Sequence, residues 1–240
     1  MKTVFAALFA APLAACGMAN GMSGEVVQPS GSGGTRTFDV AGFTGVALLG
    51  ADDVEVRHGA SFAVSAQGDS ALLDKLEIRK DGDTLKIGRK DGDWNWGGDT
   101  GAKITVTLPR LTAASLAGSG DMTVDRAEGD FRGAVAGSGD LKIAQLGGGK
   151  AGLSIAGSGD IGVAAGQAAE ISARIAGSGN IDAAGVKAER GNVSIAGSGS
   201  VRAQFTGEAK VSIVGSGDVE VTGGAKCQVS QMGSGTARCS

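Results

Sequence analysis

Residues 153–203 read LSIAGSGDIGVAAGQAAEISARIAGSGNIDAAGVKAERGNVSIAGSGSVRA. Three times in this stretch a Gly-Ser-Gly tripeptide stands between two short runs with every second residue apolar. Leu153 and Ile155 precede the first tripeptide, and Ile161 and Val163 follow it; Ala173, Ile175, Ile181 and Ala183 flank the second; Val193, Ile195, Val201 and Ala203 flank the third. Alternation of this kind marks strands with one buried face. A glycine-rich tripeptide at a fixed place between them marks a turn whose backbone has no room for a Cβ.

The unit extends in both directions. Gly-Ser-Gly begins at 118, 137, 157, 177, 197, 215 and 233, at intervals of 19, 20, 20, 20, 18 and 18 residues. A further copy at 31–33 is off this period and lacks the flanks. Two residues before each corner the column reads Leu116, Val135, Ile155, Ile175, Ile195, Ile213 and Gln231. Two after it, the column reads Met122, Leu141, Ile161, Ile181, Val201, Val219 and Ala237. The intervening positions are short or charged, as in Ser154, Ser194, Lys142 and Arg202, and suit a face in water. A period of 18–20 residues is too short for a propeller blade and lacks the ladder of leucine-rich repeats. One coil of a parallel β-helix fits it, and the fold class is all-β. Coils stacked about 4.8 Å apart would make seven of them roughly 30 Å long. Each corner becomes a column of stacked glycines, and the two ends of the stack need caps.

Composition agrees. Glycine supplies 44 of 240 residues, more than twice its usual share of about 7 per cent. Proline occurs only three times and no strict Gly-X-Y period exists, which excludes collagen. A hydrophobic fraction of 42% with a net charge of −3 argues against wholesale disorder. Basic and acidic residues number 22 and 25, with no clustered basic face or aromatic–basic interleaving, so nucleic acid is not an expected partner.

The chain opens MKTVFAALFAAPLAAC. Lys2 is followed by an apolar run from Val4 to Leu13, too short to span a bilayer as a helix. Leu13-Ala14-Ala15-Cys16 resembles the lipobox of bacterial lipoproteins. The resemblance implies a signal peptide over 1–15 and a diacylglycerol on the Cys16 thiol, hence a membrane anchor. An ordinary secretion signal cut nearby is the alternative. Several acyl chains would hold firmly, at about 0.8 kcal/mol per buried CH₂. Gly17 stands where an aspartate would favour inner-membrane retention, which leans towards the outer membrane, on its periplasmic face or at the cell surface. Residues 16–34 read as the lipidated cysteine and a small, polar, flexible tether.

The serial corners, together with the blocks TRTFDVAGFTGVALLGADDVEVRHG (35–59), LEIRKDGDTLKI (76–87) and KITVTLPRLTAASLAGSGD (103–121), resemble the head GIN domain of auto-transporter adhesins of the bacterial envelope. That family opens similarly with a Phe-containing turn, a strand of the form tL-x-I and a P-x-L step into the first corner. The resemblance covers 35–239 and implies a right-handed parallel β-helix as one domain. On that reading 35–110 form irregular early coils and 111–239 regular ones. An insertion at 88–101, GRKDGDWNWGGDTG, emerges as a loop. Related sequences carry a similar C-terminal cysteine pair. Cys227 and Cys239 fall on inward columns of the last coil, and a disulfide there would close a 13-residue loop. Two free thiols or a metal pair are the alternatives.

Four other features invite function. After the corner stand Asp121, Asp140, Asp160, Asn180, Ser200, Asp218 and Thr236. Stacked carboxylates suggest calcium, but one carboxylate per coil is few for an ion that takes six to eight oxygens. Turn aspartates that accept backbone N–H bonds explain the column better, since Asn, Ser and Thr replace them. Trp94 and Trp96 would point the same way along a strand, either as a platform for sugar or a partner, or as cover for the solenoid's flank. His58, the one histidine, has no triad or zinc-ligand spacing around it and reads as a surface residue. No cofactor motif is present.

The expected function is therefore a non-enzymatic envelope lipoprotein for adhesion, interaction or surface structure, with an envelope protein or a glycan as partner. A carbohydrate- or calcium-binding periplasmic module is the alternative. A polysaccharide-acting β-helix enzyme would need a cleft of carboxylates and aromatics that no coil supplies. The oligomeric state is open, since stacked coils with bare ends can associate end to end.

Overall fold

The aligned columns become hydrogen-bonded ladders. In the computed structural model, which describes residues 21–90 and 101–240, Leu48, Leu116, Val135, Ile155, Ile175, Ile195 and Ile213 sit in parallel register from coil to coil and are buried. A second ladder aligns Val54, Met122, Leu141, Ile161, Ile181, Val201 and Val219, also buried. A short third side runs through Arg126–Glu128, Gln145–Gly147 and Ala165–Gln167, where Ala127 and Leu146 point inward. The result is a β-solenoid of about six turns. Cys16, Trp94 and Trp96 lie outside the described residues.

The corners explain the glycines. The first glycine of each tripeptide has positive φ, +137° at Gly177 for example, which L side chains rarely adopt. Its carbonyl accepts the corner amides of the next coil. Ser158 N–H bonds Gly137 O at 2.8 Å, Ser178 bonds Gly157 O at 2.9 Å, and Ser198 bonds Gly177 O at 2.9 Å. At the last glycine the constraint is space. A Cβ on Gly179 would fall inside van der Waals contact with the carbonyl oxygen of Gly159 and 3.0 Å from Ile155 Cγ2.

Two further glycines make room for large side chains of the core. Gly133 faces inward, and a Cβ there would lie 3.1 Å from Leu141 Cδ2, 3.2 Å from Leu153 Cδ2 and 3.3 Å from a Phe131 ring carbon. Gly191 belongs to the column Phe131, Ala151, Ile171, Gly191, Ala209. The fully buried ring of Phe205 fills the space that a side chain at Gly191 would take. The core is thus closed by large–small complementarity between neighbouring coils.

The N-terminal third departs from chain order. Gly45–Gly50 and Asp53–His58 form one coil, which pairs directly with Ala113–Gly118 and Met122–Val124, 68 residues later. Between them the chain makes an excursion. Thr84–Arg89 and Lys103–Leu108 pair in parallel with the other edge of that first coil. The coil at the end of the stack is therefore made after the one it covers. Antiparallel strands then close this end: Leu76–Asp81 on Thr84–Arg89, Ala63–Gln67 on Lys103–Leu108, and Thr35–Phe38 on Ala63–Gln67. The helix Ser70–Lys75, capped by Asp69 Oδ1 on Ala71 N–H at 2.9 Å, buries Leu72 and Leu73. The described strands of this region thus stack in inverted spatial order and carry antiparallel caps.

The stretch expected as a tether is held from Gly21 onward. Glu25–Val26 pairs with Lys80 and Arg79, and Pro29–Ser30 pairs with Phe38 and Thr37. Lys86 Nζ, nearly buried, donates to Ser23 Oγ at 2.6 Å, Asp81 Oδ2 at 2.7 Å and Gly21 O at 3.3 Å. The ammonium holds the Asp81 carboxyl below its ordinary range. Low hydrophobicity suggested a free segment, but edge strands of the cap offer these residues backbone partners.

Gly179→Ala is expected to destabilise the fold by about 1–3 kcal/mol or more, because the new methyl group meets backbone that cannot move aside. Gly162→Ala, where a Cβ meets nothing within 4 Å, should leave the urea midpoint nearly unchanged. Equal effects at the two sites would contradict the corner reading.

Candidate functional site

The aspartate column runs along one edge of the solenoid and is a hydrogen-bond ladder. Asp53 Oδ1 accepts from Asp121 N–H at 3.2 Å, Asp121 from Asp140 at 3.0 Å, Asp140 from Asp160 at 3.2 Å, and Asp160 from Asn180 at 2.8 Å. The Asn180 side-chain oxygen continues it to the N–H (3.2 Å) and Oγ (2.6 Å) of Ser200, and Asp218 Oδ1 accepts from Thr236 N–H at 3.1 Å. The backbone carbonyl of the same residue faces the coil behind: Leu141 N–H bonds Asp160 O at 2.9 Å. Each carboxylate therefore carries the ladder across the corner, and asparagine does it as well because only an acceptor oxygen is needed. Where the column holds Ser200, Asp218 N–H turns to Gly199 O at 3.2 Å. Asp53 heads the ladder and was missed in the sequence, because its corner reads Gly-Ala-Asp rather than Gly-Ser-Gly.

Among the described residues, no group of three or more His, Cys, Asp or Glu side chains is placed to hold a metal ion. His58 is exposed, and its backbone N–H bonds both carboxylate oxygens of Asp125 at 2.8 Å.

One buried ion pair ties the first coils together. Asp52, fully buried, accepts from Arg89 Nη2 at 2.9 Å and from Ala102 N–H at 2.9 Å. It stands in the place of the last corner glycine. A side chain fits there because the space beneath holds an amide and a guanidinium instead of another corner.

A shallow open groove of about 610 Å³ crosses four coils on the side next to the aspartate column. Thr123, Lys142, Gly162 and Asp182, successive members of one outward column, lie along it. Ala144, Ala164, Ala184 and Gly185 form the bend beyond them. Small side chains leave a mostly apolar floor, with one cation and one anion at its margin. The run of alanines at 144, 164 and 184 was the signal in the sequence. It was not recognised because alanine also reads as filler.

At the C-terminal end, Cys227 and Cys239 are joined in a disulfide, with Cα atoms 6.6 Å apart. Cys227 ends the column of Phe131, Ala151, Ile171, Gly191 and Ala209, and Cys239 ends a neighbouring column after Ala203 and Val221. The bridge spans the last coil.

A family model described as "Putative auto-transporter adhesin, head GIN domain" matches residues 42–225. The chain belongs to this head GIN domain family. Solved structures share the fold. A putative adhesin from Bacteroides fragilis is 22% identical, with a TM-score of 0.80 over 89% of this chain and 99% of that one. A structure from Parabacteroides distasonis, titled a putative lipid binding protein, is 26% identical, with a TM-score of 0.66 over 89% and 97%. A putative adhesin from Parabacteroides merdae is 23% identical, with a TM-score of 0.67 over 86% and 95%. No protein of curated function matches the sequence.

Asp160→Ala removes the acceptor for Asn180 and should cost about 1 kcal/mol, whereas Asp160→Asn should be close to neutral. Added calcium should leave both melting temperatures unchanged; a calcium-dependent rise lost in Asp160→Asn would contradict the ladder role. Separately, Cys227→Ser should lower stability by about 2–3 kcal/mol under non-reducing conditions. An unchanged melting temperature would mean that the disulfide does not constrain the end coil.

Proposed function

We propose that this head GIN domain protein is a non-enzymatic module of the bacterial cell envelope, lipid-anchored through Cys16, that recognises a partner along its side. The observation that carries this reading is the groove from Thr123 to Gly185: an apolar floor of small side chains, open to solvent and held by rigid coils. Such a surface binds by shape and apolar contact, and it suits an extended protein segment or an acyl chain. The adhesin description of the family and the lipid-binding title of one relative support recognition over chemistry. Among the described residues no helix is long and apolar enough to cross a membrane. The backbone is pinned from Gly21, five residues after Cys16. The calcium reading is less favoured, because each column carboxylate already accepts an amide.

The test has two arms. Cys16→Ala should move the protein from the detergent phase to the aqueous phase on phase partition. Ala164→Arg should weaken binding of the purified domain to isolated cell envelopes, with the melting temperature retained. Undiminished binding by Ala164→Arg would rule the groove out, and unchanged partition of Cys16→Ala would rule out the anchor.

A further inference from the structure

The two ends of the solenoid are finished differently. At the N-terminal end, antiparallel strands and the helix Ser70–Lys75 cover the last parallel strands. At the other end, Lys226–Met232 pairs only with the strand behind it, and so does Thr236–Cys239. Natural sheets guard such edges with charge, proline or a cover. This seven-residue edge, KCQVSQM, has one charge at its start and no proline. Core positions are bared, with Val229 48% exposed. The outward column before the corner is alanine through five coils, from Ala117 to Ala196, and then becomes Val214 and Met232, 52% and 71% exposed. At the other end the same column reaches Leu49, which is only partly exposed beside the cap, so large apolar side chains of this column stand open to solvent at the C-terminal end.

We propose that the C-terminal end is a self-association surface, where two copies meet end to end about a twofold axis and their Lys226–Met232 strands pair antiparallel. The edge is self-complementary in one register. With Val229 opposite its own equivalent, Cys227 faces Gln231 and Lys226 faces Met232 of the second copy. Odd-numbered residues point inward on both sides, so the two cores merge into one. No like charges are opposed, and the aliphatic stem of Lys226 lies along Met232. The antiparallel ladder satisfies the free amides and carbonyls of both edges at once. The last coil, 223–240, brings 18 residues, close to the 20–30 or so per side of a standard interface. The opposite end is already paired and covered, so head-to-tail growth is blocked and the assembly closes at two.

The test is sedimentation of the mature chain carrying Cys16→Ser over a wide concentration range. The proposal expects a monomer–dimer equilibrium. Val229→Lys, which sets two ammonium groups against each other at the twofold axis, should leave only monomer with the melting temperature retained. Met232→Lys should also weaken the dimer, by facing Lys226, and adding Lys226→Glu should restore it, which reads the register even if Val229→Lys folds poorly. A wild-type monomer at every concentration, a dimer indifferent to these changes, or growth into filaments would overturn the proposal. Binding of the monomer to anionic vesicles through this end would overturn it in favour of a membrane contact.

Discussion

The structure depends on how closely the backbone of one coil approaches the next at the corner. The carbonyl of the first corner glycine accepts amides from the coil above, and its positive φ sets the turn. The last glycine lies so near the carbonyl below that no Cβ fits. Once these contacts fix the register of one corner, both flanking strands are fixed too, and like residues fall on like. The side chains follow: Ile stacks on Ile in the interior, and aspartate oxygens accept the amide that follows the corner one coil on. Each such bond contributes about 1 kcal/mol, so the aspartates and the glycines serve the same end.

Much of this is legible in residues 111–240, because each requirement recurs once per coil and repetition separates it from chance. The excursion over 59–110 was not legible as such. Its strands pair with partners far away in sequence, and no local pattern says that Thr84–Arg89 lies outside Gly45–Gly50 rather than after it. The first corner was hidden for a related reason. Asp52 replaces the last glycine there because the coil beneath offers Ala102 N–H and Arg89, not a carbonyl. Polar residues 25–30 looked unstructured because their pairing partners are cap strands whose edges the sequence does not advertise.

The candidate site shows the same division. The aspartates stood out by repetition, and repetition reflected a role in folding. The groove was hidden because it consists of what is absent, the side chains that Gly162, Ala144, Ala164 and Ala184 lack. The repeat changes quietly in two places: small residues line one side, and Val214 and Met232 replace alanine at the uncovered end. The family membership fits a scaffold that keeps its folding device constant and leaves its sides and end free to differ.

Amide hydrogen exchange at the corner serines tests the central claim most directly. If stacking of corner backbone holds the coils, the amides of Ser158, Ser178 and Ser198, each bonded to a glycine carbonyl one coil back, should exchange as slowly as those of Ile175 and Ile195 in the adjoining strands. Exchange at the rate of a solvent-exposed turn, with the strands still protected, would show that the strands hold together without the corners and would contradict the account.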